Sequence, residues 1–277
     1  MKPVKSNDAT DMKKRSDNQF RHKKSLGQHF LNDRNITRKI VEIAGLSEGD
    51  RVWEIGAGTG ILTDAILEKE CHPLVFEIDT RLCQMLLAKY STNIDLIAGD
   101  VLNADWDLLT KGDPQIKLVA NLPYQITTPF LFRFLEYMNN FSLAVIMIQK
   151  EVAERIKAGP GSKQYNQLSL KLQYYCQINY EFSVKKHLFF PVPKVDSAVI
   201  SLIPRVRNTN CQNPEFFWKL VEACFQYRRK TLHNNLKGFI RADILTQVEK
   251  KFDLSLRAEK LTENDFLLLE NYLFELN

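Results

Sequence analysis

The sequence predicts a Rossmann-like α/β domain followed by a small all-α domain. Strand-like and helix-like segments alternate from about residue 32 to residue 149, and a glycine-rich loop follows the first of these strands. After about residue 207 the strand-like segments end and four helical patterns follow. Because alternating strands and helices typically build a parallel sheet with helices on both faces, we expect that architecture for the first part of the chain.

Six segments have the apolar composition of sheet strands, and eight have helical spacing of apolar residues. The predicted strands are residues 51–55, 74–78, 94–98, 118–120, 144–149 and 195–203. The predicted helices are residues 32–44, 61–70, 81–90, 128–137, 216–225, 232–239, 242–252 and 263–276. We therefore divide the chain into a disordered basic tail (1–24), an α/β domain (25–206) and a helical domain (207–277).

The composition limits the classes of function. The chain has 277 residues, with 38 Lys and Arg against 33 Asp and Glu, and this modest positive charge permits a polyanionic partner without establishing one. No apolar run reaches the roughly 20 residues of a membrane span. The five cysteines include no CxxC pair, which predicts free thiols in a cytoplasmic protein and no metal site. No feature of the sequence indicates an oligomer, and we expect a monomer.

The glycine-rich loop at residues 54–60 points to a nucleoside cofactor. Gly56 and Gly58 belong to a G-x-G-x-G pattern that follows a strand and opens a helix. The pattern differs from the G-x-G-x-x-G of pyrophosphate-binding folds, since the sixth position is Ile61. A ligand without a pyrophosphate is therefore favoured, and S-adenosylmethionine is such a ligand.

Two carboxylates lie at or just after the ends of the next two strands. Glu77 lies 21 residues beyond Gly56, where a carboxylate can accept both ribose hydroxyls. Asp100 follows the third strand and is placed to accept from an adenine amino group, with Ile78 and Val101 beside the two acids. A solvated strand end is the alternative for Glu77, and we assign Asp79 to a helix N-cap.

The fourth strand ends in Asn121-Leu122-Pro123-Tyr124, which suits chemistry on an exocyclic amino group. The adenine N6 lone pair is delocalised into the ring, so acceptors aimed at its two N–H groups would make it a better nucleophile. The Asn121 side chain and the Leu122 carbonyl can supply them, Pro123 stiffens the turn, and Tyr124 offers a face for a flipped base. A merely structural Pro-Tyr turn is the alternative.

These motifs together resemble the ribosomal RNA small-subunit adenine dimethyltransferase family (KsgA type). The likeness covers nearly the whole chain from Lys24 onward. It rests on residues 26–31 (LGQHFL), 54–60, Glu77, Asp100, 121–124, 149–152 (QKEV), Phe189, 193–197 (PKVDS) and 227–232 (YRRKTL).

The resemblance implies a function and several residue roles. Members of the family dimethylate two adjacent adenosines in a loop near the 3′ end of small-subunit ribosomal RNA, during assembly of that subunit. By position in the motif, Gln28, His29 and Leu31 would contact the cofactor. Phe189 would hold the target base against Tyr124. The neighbouring Phe190 is the alternative for this role.

Three further residues, Arg228, Arg229 and Lys230, would bind RNA phosphates from a helix of the second domain, with a solvated helix face as the alternative. Two other functions stay open at this point, and methylation of adenine in DNA is a weaker third. One is methylation of large-subunit ribosomal RNA by an enzyme of the erythromycin-resistance type. The other is a non-catalytic ribosome-assembly factor on the same fold.

Overall fold

A seven-stranded sheet organises the first two thirds of the protein. The computed structural model describes residues 27–112, 115–205 and 211–276, so the predicted disordered tail lies outside the described residues. The strands are β1 (Phe30–Leu31), β2 (Arg51–Ile55), β3 (His72–Glu77), β4 (Asp95–Ala98), β5 (Ile116–Asn121), β6 (Phe141–Gln149), β7 (Cys176–Val184), β8 (Phe189–Phe190) and β9 (Ser197–Pro204).

The sheet is mixed rather than wholly parallel. Its strand order is β4-β3-β2-β5-β6-β9-β7, and the short strands β1 and β8 pair separately. The first five strands in this order are parallel, whereas β9 runs antiparallel to both β6 and β7. The expectation of a parallel sheet is confirmed for β2 to β6. Strand β7 is absent from the strands predicted above.

Helices cover the sheet and form the second part of the chain. They are α1 (Arg34–Ile43), α2 (Ile61–Leu67), α3 (Thr80–Tyr90), α4 (Trp106–Leu109), α5 (Thr127–Tyr137), α6 (Lys150–Lys157), α7 (Gln167–Tyr175), α8 (Pro214–Phe225), α9 (Leu232–Leu236), α10 (Ala242–Glu249) and α11 (Glu263–Glu275). No helix among the described residues is long and apolar enough to cross a membrane.

Alternating side chains bury both faces of the sheet. In β5, Leu118 and Ala120 pack on one face with Trp53, Trp106 and Phe141, and Val119 packs on the other. The Trp53 ring meets the Trp106 ring nearly edge-on, with centroids 5.2 Å apart. Such aromatic packing contributes about 0.5–1.5 kcal/mol per pair beyond burial. The sheet is therefore a rigid base for the loops at its edge.

Local signals in the sequence fix where several helices begin. The Asp79 side chain accepts from the Arg81 backbone N–H at 3.2 Å, which confirms its predicted role as the N-cap of α3. Gly60 caps α2 with φ +83°, and a Cβ added there would lie 2.3 Å from the Tyr90 hydroxyl oxygen. Only glycine fits at this position, so the loop closes tightly against α3.

The four C-terminal helices share a core with part of the α/β region. Phe217, Leu220 and Phe266 form the centre of this core, and Tyr165 and Tyr174 from the α/β side pack into it. The Trp218 indole N–H also donates to the Tyr175 hydroxyl at 2.7 Å. The boundary that we place between residues 206 and 207 lies outside the described residues, and the two-domain division stays a prediction.

Candidate active site

The site lies where the order of strands in the sheet reverses direction. From β2 the chain proceeds to β3 and β4 on one side, whereas β5 and β6 lie on the other side of β2. At this point, called a topological switch point, the loops that follow β2 and β5 lead in opposite directions and leave a crevice between them. Open α/β sheets bind their ligands in this crevice. The two loops are the glycine-rich loop and the Asn121–Tyr124 corner, by which we mean residues 121–124.

The glycine-rich loop and the corner are in direct contact. Gly56 has φ +75°, and a Cβ added there would lie 3.2 Å from the Asn121 carbonyl oxygen and 3.6 Å from Pro123 Cδ. The Gly56 backbone N–H donates to the Phe76 carbonyl at 2.9 Å, which fixes the start of the loop. A side chain at position 56 would push the two loops apart. The glycine therefore brings the cofactor loop and the corner within reach of one another.

Glu77 ties the loop to the neighbouring strand. Its carboxylate accepts the backbone N–H of Gly58 at 2.9 Å and that of Asp79 at 2.9 Å. The side chain is buried, and this burial raises its pKa, against the opposing effect of the backbone hydrogen bonds. Glu77 thus shapes the glycine-rich loop and borders the cleft beside it.

Asp100 borders the cleft at the end of the adjacent strand. One carboxylate oxygen accepts the Leu102 backbone N–H at 2.9 Å, and the other accepts from the Asn103 side chain at 3.4 Å. The Gly99 backbone N–H donates to the Glu77 carbonyl at 2.8 Å. The two acids therefore lie on neighbouring strand ends, as the spacing predicts.

The Asn121–Tyr124 corner is held by hydrogen bonds on both sides. The Leu122 backbone N–H donates to the Met147 carbonyl at 3.1 Å, and the Ile126 N–H donates to the Pro123 carbonyl at 3.1 Å. The Tyr124 and Ser197 hydroxyls lie 2.8 Å apart, and burial raises the pKa of Tyr124. The tyrosine is thereby neutral at physiological pH and fixed in orientation.

An N-terminal strap, residues 27–31, joins the two sides of the cleft. The Gln28 side-chain amide donates to Asp79 at 3.1 Å on the side of the glycine-rich loop. On the other side Leu31 pairs with Phe189 in the β1–β8 ladder. His29 Nδ1 lies 2.6 Å from the Pro191 carbonyl, and since a carbonyl only accepts, Nδ1 carries the proton.

One cleft collects every residue that we predicted for cofactor binding and catalysis. These residues are Gln28, His29, Leu31, Gly56, Gly58, Glu77, Ile78, Asp100, Val101, Asn121, Leu122, Pro123, Tyr124 and Phe189. Phe189 is 3% exposed and lines the cleft, whereas Phe190 is 59% exposed and does not line it. The placement favours Phe189 over its neighbour as the residue that faces the base, and the role itself stays a prediction.

Sequence reasoning missed several residues of the cleft lining. Phe30 lies within the LGQHFL motif, and a Cβ added at Gly58 would be 3.0 Å from its ring. Gln125 directly follows the corner and packs against Gly27. One lies within a motif and the other next to one, so their position was a usable signal. Thr37 of α1 also lines the cleft, and no pattern in the sequence marks it.

A second buried acid, Glu54, lies next to the site but not in it. It is fully buried at the end of β2, and neither carboxyl oxygen hydrogen-bonds to a described residue. Burial raises the pKa of Glu54 to about 8, and the nearby Thr63 hydroxyl offsets only part of this effect. Glu54 is therefore a neutral acid in much of the physiological range, close under the glycine-rich loop.

The three predicted RNA-binding cations do not lie on a helix. Arg228, Arg229 and Lys230 are in the exposed turn between α8 and α9, so our placement of them on a helix was wrong. The Arg228 guanidinium donates to the Lys163 carbonyl in the α/β region. The Lys230 ammonium lies 4.3 Å from the centroid of the Tyr227 ring. The three cations therefore do not share a helix face.

The residues of the cleft fit S-adenosylmethionine. The glycine-rich loop leaves room for a close backbone approach, and the two carboxylates are acceptors for hydroxyl and amino groups of a nucleoside. The described residues hold no cluster of His, Cys, Asp and Glu that could bind a metal. The strand order and this cleft define a class I S-adenosylmethionine-dependent methyltransferase with a Rossmann-like fold.

Comparison with known proteins identifies the family. The family model described as "Ribosomal RNA adenine dimethylase" matches residues 19–275, and the chain belongs to that family. A ribosomal RNA small subunit methyltransferase A from Enterococcus faecalis is 43% identical over 92% of this chain and 91% of its own length. The protein of the same name from Francisella tularensis subsp. novicida is 40% identical over 91% and 97%.

Two solved structures are similar over most of the chain. A dimethyladenosine transferase from Plasmodium falciparum has a TM-score of 0.71 and 29% identity, covering 89% of this chain and 98% of that one. The 23S rRNA methyltransferase ErmE has a TM-score of 0.63 and 25% identity, covering 88% of this chain and 99% of that one. The resemblance read from the motifs is thus confirmed at the level of the family.

Proposed function

We propose that this protein dimethylates the N6 amino groups of two adjacent adenosines in a loop near the 3′ end of small-subunit ribosomal RNA, with S-adenosylmethionine as the methyl donor. One observation carries the proposal. The Asn121–Tyr124 corner touches the glycine-rich loop at Gly56, so an amino-group site and a nucleoside site share one cleft. The family and the small-subunit names of the 40–43% identical relatives support the choice of substrate.

The cofactor would bind along the carboxyl ends of β2, β3 and β4. Gly56 and Gly58 would let its methionine part approach the backbone, while Glu77 would accept from the ribose and Asp100 from the adenine amino group. Ile78 and Val101 would flank the adenine, and Gln28, His29 and Leu31 of the strap would close over it. The bound cofactor supplies an electrophilic methyl group on a sulfonium.

The Asn121–Tyr124 corner would activate the target nitrogen. The side-chain oxygen of Asn121 and the Leu122 carbonyl would accept hydrogen bonds from the two N6–H groups. These bonds would reduce delocalisation of the N6 lone pair into the ring and direct the lone pair toward the methyl group. Pro123 keeps this turn rigid because its ring fixes φ. Correct positioning of the reacting atoms, about 3–3.5 Å apart, then provides most of the rate enhancement.

Two aromatic residues would hold the flipped base. Tyr124 and Phe189 both line the cleft, and the Tyr124 hydroxyl is anchored near Ser197. Stacking between aromatic side chains is how enzymes stabilise a base that has left its helix. A flipped adenine between these rings would present N6 to the corner.

The helical part would contact the rest of the substrate. Arg228, Arg229 and Lys230 are exposed and would bind phosphates of RNA in an assembling small subunit. We also propose that the protein acts as a monomer in the cytoplasm, where its free cysteines would stay reduced.

The test is mass spectrometry of small-subunit ribosomal RNA from cells with and without this gene product. We expect dimethyladenosine near the 3′ end only when the protein is present, and its loss when Asn121→Ala replaces the wild type. Dimethyladenosine that persists without the protein would refute the proposal. An Asn121→Ala variant that corrects an assembly defect, with the adenosines unmodified, would favour a non-catalytic assembly factor.

Methylation of large-subunit RNA is the second candidate, since ErmE is similar over 88% of the chain. Its 25% identity is well below the 40–43% of the small-subunit relatives. Parallel assays on assembling small subunits and on naked large-subunit RNA separate the two. Methyl transfer to the large-subunit RNA alone would favour the second candidate.

A further inference from the structure

Phe190 is an exposed aromatic side chain at the rim of the cleft. It is 59% exposed, whereas Phe189, its neighbour in β8, is 3% exposed. Successive residues of a strand point to opposite faces, so the two rings of β8 serve different surfaces. A single exposed apolar ring is common on protein surfaces, so the argument for Phe190 rests on its place beside the cleft and on the residues around it.

The position of Phe190 is fixed by three residues that line the cleft. Phe189 precedes it in the chain, Phe30 faces it in the β1–β8 ladder, and His29 Nδ1 holds the carbonyl of the next residue, Pro191, at 2.6 Å. Paired residues of a ladder have their side chains on the same face of the sheet. Phe190 therefore shares a face with Phe30, directly beside the cleft.

The sequence around Phe190 combines apolar residues with lysines on both sides. Val192 and Val195 are exposed near Phe190 in sequence. The segment 185–196 also contains three lysines, Lys185, Lys186 and Lys194, and a single acid, Asp196. The acid is bound by Lys185 at 3.1 Å and by the Lys186 backbone N–H at 3.0 Å, so the acid is engaged within the loop itself.

An aromatic face flanked by cations matches single-stranded nucleic acid. Bases stack on exposed aromatic rings, and lysines attract the phosphates between them. A protein partner would be expected to match the apolar residues but not the excess of lysines. We therefore propose that Phe190 is a stacking platform for the nucleotide adjacent to the flipped target adenosine, with Lys186 and Lys194 beside its backbone.

This inference rests on the proposed function and adds a second base-binding position to it. The flipped adenine would occupy the cleft at Phe189, while the next base would stack on the opposite side of the same strand. When the first adenosine has been modified, a shift of the RNA by one nucleotide would bring its neighbour into the cleft. A platform at this point thus orders the two adjacent substrates without any additional domain.

The first test measures RNA affinity with the intact protein and a labelled single-stranded RNA that contains two adjacent adenosines. We expect Phe190→Ala to weaken binding by about tenfold, since loss of one base–aromatic stack has an effect of that order. Phe190→Tyr should stay within about twofold of the wild type because it keeps the ring. Phe274→Ala is the matched control, since Phe274 is 51% exposed on α11 and does not line the cleft.

The second test removes the base instead of the ring. An abasic nucleotide is placed on the 5′ side or on the 3′ side of the target adenosine. For the wild type we expect a loss of about tenfold on one side only, and for Phe190→Ala no further loss on that side. Independent losses that multiply would overturn the inference, as would wild-type affinity for Phe190→Ala.

These outcomes are distinguishable from failure of the proposed function. Methyl transfer by the wild type to assembling small subunits tests the function, whereas the RNA affinities test the platform. If Phe190→Ala changes self-association of the protein in sedimentation experiments but not its RNA affinity, the exposed ring serves a second copy of the chain, and the platform is refuted.

Discussion

In the α/β region the candidate site is assembled from strand ends, whereas in the helical region the candidate RNA contacts lie in one exposed turn. Glu77 and Asn121 end two strands of one rigid sheet and Asp100 follows a third, and they meet because the carboxyl ends of parallel strands meet. Arg228, Arg229 and Lys230 are consecutive in sequence and share no such frame.

This difference predicts how strongly a single substitution should affect function in each region. Side chains held by a sheet act together at distances set by backbone hydrogen bonds, so single substitutions there should have large, specific effects. Cations in a turn act separately, through long-range attraction to phosphates. Substitutions there should have small effects that depend on salt concentration.

The largest effect is expected at Asn121. We expect Asn121→Ala to lower methyl transfer by about 100-fold or more, because loss of one preorganised polar group at a reacting centre has an effect of that size. The measurement is turnover on assembling small subunits with saturating cofactor. Asn139→Ala is the control, since Asn139 is exposed and outside the cleft lining. Turnover within threefold of the wild type would remove Asn121 from the catalytic group.

Tyr124 separates stacking from hydrogen bonding. We expect Tyr124→Ala to lower turnover by about 30-fold, with much less change in cofactor affinity, since the ring would contact the base. Tyr124→Phe keeps the ring but loses the hydroxyl that lies 2.8 Å from Ser197 Oγ, and its turnover should fall by only a few-fold. Equal losses in the two variants would show that the hydroxyl, not the ring, matters.

Glu77 tests the cofactor side of the cleft. We expect Glu77→Ala to weaken S-adenosylmethionine binding by about tenfold in calorimetry, because the carboxylate both shapes the glycine-rich loop at Gly58 and would accept from the ribose. Glu136→Ala is the control, since this exposed acid pairs with Arg133 outside the cleft. An unchanged cofactor affinity of Glu77→Ala would contradict the ribose assignment.

Two buried glutamates, one in each region, differ in whether their carboxylates are hydrogen-bonded. Glu54 makes no hydrogen bond to a described residue, whereas Glu270 accepts the backbone N–H groups of Gln212 and Asn213 at 3.3 and 2.9 Å. Burial raises the pKa of Glu54 to about 8, above the value of about 4.3 in an unfolded chain. The folded state therefore binds this proton more tightly, and the contribution of Glu54 to the free energy of unfolding falls as pH rises from about 4.5 to 8.

We therefore expect Glu54→Gln, which stays neutral, to stabilise the protein by about 3–4 kcal/mol more at pH 8.5 than at pH 5. The measurement is thermal unfolding of both proteins at the two pH values. Glu270→Gln should instead lower stability, because an amide has one acceptor oxygen and would leave one of the two backbone donors unpaired. The same pH trend in both variants would argue against a special environment at Glu54.

Local patterns in the sequence predicted the cofactor side of the site well. The strand before Gly56, the glycine-rich loop and the 21-residue spacing to Glu77 together specify one strand–turn–helix–strand unit. All of these features depend on neighbours in the chain, so periodicity and turn chemistry suffice to recognise them. Phe189 was assigned to the site only through the family resemblance. Its ladder partner Leu31 is 158 positions away, so no local pattern could bring the two together.

A strand that depends on distant pairing was missed, and the three cations were assigned to a helix although the predicted helices 216–225 and 232–239 leave residues 226–231 between them. Strand β7 pairs with β9 and carries a register shift between Tyr180 and Phe182, which breaks the alternation that would mark it as a strand. The chain leaves α8 at Phe225 and starts α9 with Thr231 as its N-cap, so the three cations fall in the turn. The Thr231 cap was a usable signal for this turn.

The smallest effects are expected at the turn, and they distinguish its two arginines. Arg228 donates to the Lys163 carbonyl, so Arg228→Ala should lower the free energy of unfolding by about 1 kcal/mol. Arg229→Ala should leave stability unchanged, weaken RNA binding a few-fold and reduce the slope of log affinity against log salt by about one. Thermal unfolding and salt titrations of RNA binding measure both. If Arg229→Ala leaves the salt slope unchanged, its side chain contacts no phosphate, and RNA recognition by this protein lies mainly with the sheet-edge cleft and its rim.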